Sequence, residues 1–129
     1  MPVPLSPSDL SSLVTILRSA GCVFAEDEAA LIAATADRPA DVAVMAERRA
    51  AGHPLEHVLG WAEFAGLRIA VDPGVFVPRR RTEFLIDRAV ALAPDPAVVV
   101  DLCCGSGALG AALAAALDRA ELHAADVEP

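Results

Sequence analysis

Residues 98–110 read VVVDLCCGSGALG, and together with residues 121–129, ELHAADVEP, they decide the fold. Three valines followed by Asp101 predict a buried parallel strand. The glycines of GSG predict a tight turn, because glycine adopts backbone angles that a Cβ opposes. An alanine- and leucine-rich helix is expected over about residues 108–118, and a second short strand ends at Asp126. We therefore expect a strand, a glycine loop, a helix, a strand and an acid, in that order.

Each part of this unit has a physical role in holding a nucleoside, as in Rossmann-like folds. Main-chain N–H groups around Gly105 and Gly107 can approach a ligand closely, and the following helix points its positive N-terminal end at it. Gly110 allows close packing of the helix on the strand. Asp126 follows Gly105 at close to the offset of about 20 residues expected of an acid that accepts from ribose hydroxyls. Asp101 is expected to accept hydrogen bonds from loop N–H groups and so to organise the loop.

Composition disfavours several classes of function. A chain of 129 residues allows one ordinary domain or two small ones. The net charge of −8 disfavours direct binding to nucleic acid, which depends on neutralising phosphates. There is no apolar run of about 18 residues and no signal-peptide pattern in MPVPLSPSDL, so we expect a cytoplasmic protein without a membrane segment. Three cysteines without a CxxC pair predict neither a disulfide framework nor a metal site.

The rest of the chain divides into a helical part and a mixed part. Start and stop patterns predict helices over about residues 6–21, 26–36 and 39–52, which form a small bundle. Residues 61–71 predict a hairpin around Ala65-Gly66, and a further helix is expected over residues 82–93.

The segments FVPRRRTEFLIDRAV, residues 76–90, and DLCCGSGALG, residues 101–110, resemble the protein-glutamine N-methyltransferases. These are class I enzymes that use S-adenosylmethionine (SAM), and the best-known members methylate the glutamine of the GGQ loop in peptide-chain release factors. The family's G-x-P-x-x-Y-x-x-G segment corresponds to GHPLEHVLG at 52–60, and its P-R-x-x-T-E segment to PRRRTE at 78–83. The order of these motifs extends the resemblance over essentially the whole chain.

The resemblance implies an α/β protein with a small N-terminal helical bundle, a β-hairpin linker and the start of a Rossmann-like SAM-dependent methyltransferase domain. The implied division is a helical substrate-recognition domain at 1–52, a hairpin linker at 53–81, and the first part of the SAM-binding domain at 82–129. The implied partner is a protein substrate, a release factor or a relative of one. The implied cofactor-binding residues are the acid on the ribose, Asp126, and the loop Cys103, Cys104, Gly105, Ser106 and Gly107.

Several residues depart from the family pattern. His57 replaces the usual Tyr, and Cys103 and Cys104 stand where the family usually has Gly and Thr. PRRRTE replaces the commoner PRPETE, which indicates a relative of the release-factor enzymes. The family's N-P-P-Y segment, which holds the target amide, does not occur in the sequence. The expectation is therefore an N-terminal fragment of a longer methyltransferase that lacks catalysis by itself, and no catalytic residue is assigned.

Two other functions stay open at this point. GSGALG also fits a nicotinamide-dependent oxidoreductase, although the acid-x-x-x-Gly-x-Gly spacing from Asp101 favours methyltransferases. A non-catalytic helical interaction domain on a degenerate nucleotide-binding fold is the third possibility. HPLEH at 53–57 matches an inverted zinc-protease pattern, but Pro54 permits only a helix start there, and the family segment explains it better. Arg79 is the arginine of the triplet that falls in the family motif, with an acidic partner or a cofactor carboxylate as its expected contact.

Overall fold

The computed structural model describes residues 2–128, which form two compact units that meet between Leu59 and Gly60. The boundary differs from the one expected after Gly52, because residues 55–59 form a short helix that packs against the helices before it. The hairpin belongs to the second unit rather than to a separate linker. The functional division into 1–52, 53–81 and 82–129 stays a prediction.

Four helices make up the first unit: α1 (Pro7–Ser19), α2 (Ala25–Thr35), α3 (Pro39–Ala50) and α4 (Leu55–Leu59). The predicted start of α1 is confirmed, since the Ser6 side chain accepts from the Asp9 N–H at 3.1 Å and Pro7 occupies the first turn. Apolar side chains of α1, α2 and α3 supply the core of this unit. The buried core includes Leu13, Leu17, Ala25, Ala29, Ile32, Val42 and Ala46.

An ion pair on the inner side of this unit connects α2 to α3. The Arg49 guanidinium donates to both carboxylate oxygens of Glu28, at 2.7 Å and 3.1 Å. It also donates to the His53 carbonyl at 3.1 Å. Glu28 is only 8% exposed, so its charge depends on Arg49 for compensation.

Replacement of Arg49 by alanine is expected to destabilise the protein by about 3 kcal/mol, because it leaves the Glu28 carboxylate buried without its partner. Arg18→Ala is the matched control, since Arg18 pairs with Glu26 at an exposed position where ion pairs contribute little. Urea unfolding of the two variants measures the difference. Equal losses for both would contradict a structural role for the Glu28–Arg49 pair.

The second unit begins with the predicted hairpin, in which β1 (Trp61–Phe64) pairs antiparallel with β2 (Leu67–Ala70). A short 3-10 turn at Arg80–Thr82 then leads into α5 (Glu83–Leu92). Thr82 does not cap α5 through its side chain, because its backbone is already helical. The Glu83 carboxylate instead accepts from the Ala65 N–H at 2.9 Å and so ties the start of α5 to the hairpin turn.

The predicted strand–loop–helix–strand unit is present and its strands are parallel. β3 (Ala97–Leu102) pairs with β4 (Ala120–Ala125) in register from Ala97↔Ala120 to Leu102↔Ala125. Between them α6 (Ala108–Ala116), which ends slightly before the expected Asp118, packs on both strands. The unit is thus α/β, and its core is Phe64, Ile69, Ile86, Ala108 and Ala112.

The opposite side of β3 is open. Val98, Val100 and Leu102 alternate along the strand and are exposed, so the predicted burial of the valine strand is wrong for this face. Within residues 2–128, no helix combines the length and the apolarity needed to cross a bilayer.

Candidate functional site

The loop between β3 and α6 has the tight shape that its glycines predict. Gly107 precedes the helix with a φ of 78°, a left-handed conformation that suits glycine. Cys103 also has a positive φ, 56°, although it carries a Cβ. The Cys104 N–H donates to the Ala125 carbonyl at 3.1 Å, and the Gly107 N–H donates to the Cys104 carbonyl at 2.8 Å. The loop is therefore attached to the end of β4 as well as to β3.

Asp101 holds the start of α6 in place. Its Oδ2 accepts from the Gly110 N–H at 3.0 Å. N–H groups in the first turn of a helix have no partner within the helix, and a carboxylate there also interacts favourably with the helix dipole. The prediction that Asp101 accepts from loop N–H groups is wrong, because the N–H that it binds lies in the first turn of α6.

Asp126 braces the loop from the second strand. Its Oδ2 accepts from the Gly105 N–H at 2.8 Å, and its Oδ1 accepts from the Val127 N–H at 2.7 Å. The bond from Gly105, followed by those from Glu128 and Val127, lowers the pKa of this carboxyl below its usual value. Each carboxylate oxygen can accept more than one hydrogen bond, so the group keeps capacity for a further donor.

Gly110 allows the close packing that its position predicts. A Cβ at Gly110 would lie 2.9 Å from Leu122 Cδ1 and 3.1 Å from Asp101 Oδ2. Both distances are shorter than ordinary van der Waals contact. The side chains of Leu122 on β4 and Asp101 on β3 thus lie where a Cβ of residue 110 would be.

A cavity of about 720 Å³ opens beside the loop. Its wall brings together the end of β3, the glycine loop, the start of α6, the end of β4 and the segment before α5. The lining residues are Phe64, Gly74, Val75, Phe76, Pro78, Arg79, Thr82, Asp101, Leu102, Cys103, Cys104, Gly105, Ser106, Ala108, Leu109, Ala124, Asp126 and Glu128. Of the predicted cofactor-binding residues, Gly107 alone is outside this wall, and it is the N-cap residue of α6.

Arg79 is part of the cavity wall, whereas Arg80 and Arg81 are not. The Arg79 guanidinium lies 5.3 Å from the ring centroid of Phe76, within the range of a cation–π contact. From the sequence, Phe76 is only the first residue of the segment at 76–90 that resembles the methyltransferase family. An aromatic residue three positions before the arginine of the PRRRTE motif was the available indication of its place in the wall.

The aromatic residues of β1 and the histidine of β4 have packing and pairing roles. Phe64 is fully buried in the core of its unit, and Trp61 lies under the Arg68 guanidinium at 3.8 Å, so both aromatics of β1 are packing residues. His123 pairs with Glu121 at 2.7 Å. In the described part of the chain, no three His, Cys, Asp or Glu side chains are grouped so that they could hold a metal ion.

Gly110→Ala tests the packing of the loop unit. An alanine inside a helix normally stabilises relative to glycine, but here its Cβ displaces Leu122 and Asp101, so we expect a net loss of about 1–3 kcal/mol. Chemical denaturation measures the change. In the double variant with Leu122→Ala, the clash is partly relieved. The stability lost by the double variant should therefore be smaller than the sum of the losses of the two single variants. A Gly110→Ala protein more stable than the original would contradict this packing.

The Asp126 brace predicts a pH dependence of the loop. Because the folded pKa lies below the unfolded value of about 3.9, its stabilisation is complete above that value and is lost as the pH falls through the folded pKa. NMR titration should therefore show the Asp126 carboxyl and the Gly105 amide changing together, with a midpoint below about 3.9. In Asp126→Asn, the Gly105 change should disappear. A midpoint at or above 3.9, or a Gly105 change that persists in the variant, would contradict the brace.

Comparison with known proteins gives a consistent result. No protein-family model matches the chain. A release factor glutamine methyltransferase of Corynebacterium glutamicum is 47% identical over 94 residues, which cover 70% of this chain and 34% of that protein. The enzymes of the same name from Mycolicibacterium smegmatis and Streptomyces coelicolor are 48% and 44% identical, over 63% and 62% of this chain and 29% and 30% of their own length.

The chain thus spans about a third of the length of the curated relatives it matches. The names of those relatives agree with the resemblance that the PRRRTE segment and the glycine loop predict. The chain is therefore a relative, in sequence, of the release factor glutamine methyltransferases.

Proposed function

We propose that this chain carries the cofactor-binding region of a SAM-dependent protein-glutamine N-methyltransferase with a Rossmann-like fold. The observation that carries the proposal is the position of the Asp126 carboxylate, 2.8 Å from the Gly105 N–H at the carboxyl ends of two parallel strands. Ligands of open α/β sheets bind at this end of the strands. The similarity to named methyltransferases supports the assignment of the reaction class.

The residues present fit a nucleoside cofactor. The cavity of about 720 Å³ lies within the range of about 300–1,000 Å³ that small-molecule sites occupy. Asp126 has remaining acceptor capacity for a ribose hydroxyl, and Glu128, also in the wall, is the nearest second acceptor. The loop from Cys103 to Gly107 would hold the neighbouring part of the ligand through its backbone. Arg79 is the cation of the wall and fits the carboxylate of an amino-acid group.

SAM supplies an electrophilic methyl group when it is bound. The residues of this chain bind and orient the cofactor. Because the loop is already braced before the cofactor binds, little ordering of the loop is needed on binding. Phe76 adds an apolar side chain to the wall of the cavity.

The substrate proposed for the intact enzyme is a glutamine side chain of a protein, a peptide-chain release factor or a relative. The relatives are named for that substrate. We assign recognition of the protein to the helical residues 1–52 and place the reaction in the cytoplasm. The net charge of −8 supports a protein partner over a nucleic acid.

A nicotinamide dinucleotide is the alternative ligand, because its ribose would meet the same acid. Calorimetric titration of the chain with SAM and with NAD separates the two. We expect saturable binding of SAM and none of NAD at the same concentrations. Binding of NAD alone would favour the oxidoreductase, and binding of neither would favour a non-catalytic interaction domain.

Asp126→Ala should weaken SAM binding by about ten- to a hundredfold, as expected when hydrogen bonds to a charged group are lost. The matched control is Asp118→Ala, an exposed aspartate outside the cavity wall, which should leave the affinity unchanged. Calorimetry of both variants gives the comparison. If Asp126→Ala binds SAM as the original chain does, the ribose acid is elsewhere.

A further inference from the structure

The loop beside the cavity carries two adjacent thiols. Cys103 is exposed and Cys104 is half-buried, and both are part of the cavity wall. Cys104 Sγ is within weak hydrogen-bonding distance of the Gly105 carbonyl, at 3.8 Å. Cys103 is therefore the more accessible nucleophile of the two.

The third cysteine is an internal reference. Cys22 is buried in the core of the helical unit. Burial, followed by the charge of Glu28, raises the pKa of its thiol, so the reactive thiolate is disfavoured there. A reagent that needs an accessible thiolate should distinguish Cys103 from Cys22 in the folded protein.

The charge of the cavity selects among reagents. Three carboxylates, those of Asp101, Asp126 and Glu128, line it together with a single cation, Arg79. A positively charged or neutral molecule is therefore favoured at Cys103 over an anion of the same size.

We propose that Cys103 is a covalent modification site for small cationic or neutral organic disulfides, and that the attached group occupies the cavity. The consequence for SAM binding rests on the proposed function, whereas the modification itself does not. Because the residues that follow Cys103 are bound to Ala125 and Asp126 at the end of β4, the loop cannot easily move a group on Cys103 away from the cavity.

The reaction is a thiol–disulfide exchange. The Cys103 thiol loses its proton to solvent, and the thiolate attacks one sulfur of the reagent. A new S–S bond forms to Cys103 while the S–S bond of the reagent breaks, and the second half leaves as a thiolate that takes up a proton. The cysteine is oxidised, the reagent is reduced, and added thiol reverses the exchange.

The experiment uses the full chain and three disulfides of similar size: cystamine (cationic), 2-hydroxyethyl disulfide (neutral) and dithiodiglycolate (anionic). Peptide mapping by mass spectrometry locates the adduct, with Cys104→Ser included because a neighbouring thiol can displace it. We expect the adduct on Cys103 and none on Cys22. At low salt, the ratio of the cystamine rate to the dithiodiglycolate rate should be about tenfold higher in the folded chain than in the urea-unfolded chain.

A second readout measures SAM affinity before and after treatment with cystamine. The affinity should fall at least tenfold in the original chain and in Cys22→Ala. In Cys103→Ser, the SAM affinity should be the same before and after treatment with cystamine. Thiol treatment should restore the original value.

The outcomes separate the two proposals. Adducts mainly on Cys104 or Cys22, or no charge preference beyond that of the unfolded chain, overturn the modification site. An adduct on Cys103 with unchanged SAM affinity overturns occupation of the cavity. Absence of SAM binding before any treatment overturns the proposed function and leaves the mapped adduct as the test of the site.

Discussion

Two carboxylates at the ends of neighbouring parallel strands hold the glycine loop, and the candidate site depends on them. Parallel pairing brings the carboxyl ends of β3 and β4 to the same edge. There Asp101 accepts from Gly110 and Asp126 accepts from Gly105, so one carboxylate fixes the helix and the other fixes the turn. Removal of either leaves backbone N–H groups without a partner, and the wall of the cavity loses its shape.

The same bonds explain how the loop tolerates cysteine where the resembling family usually has glycine. Left-handed backbone angles at a residue with a side chain cost on the order of 1–3 kcal/mol and persist when the surroundings fix them. The two residues after Cys103 are both fixed by hydrogen bonds: the Cys104 N–H donates to the Ala125 carbonyl, and the Gly105 N–H donates to the Asp126 carboxylate. These contacts offset the cost and keep the loop closed. The result is a braced turn that also displays a thiol to the cavity.

The sequence predicted the elements of the site better than the contacts within it. The valine strand, the glycine turn, the helix and the final acid follow local patterns, and each is present. The close fit at Gly110 was also expected from its position. The bond from the Gly105 N–H to Asp126 was not expected, because the sequence pattern places an acid near a ligand but does not show which protein N–H group it binds. Phe76 and the Glu83–Ala65 bond depend on how distant segments fold together, and no periodicity reports that.

We propose that the braced loop and Asp126 form the binding surface of a SAM cofactor. Amide chemical shifts recorded during a titration with SAM test it most directly. We expect saturable changes concentrated at Gly105, Ser106, Gly107 and Val127, with the amides of the helical unit unaffected. Changes concentrated in residues 1–59, or no change at any concentration, would contradict it.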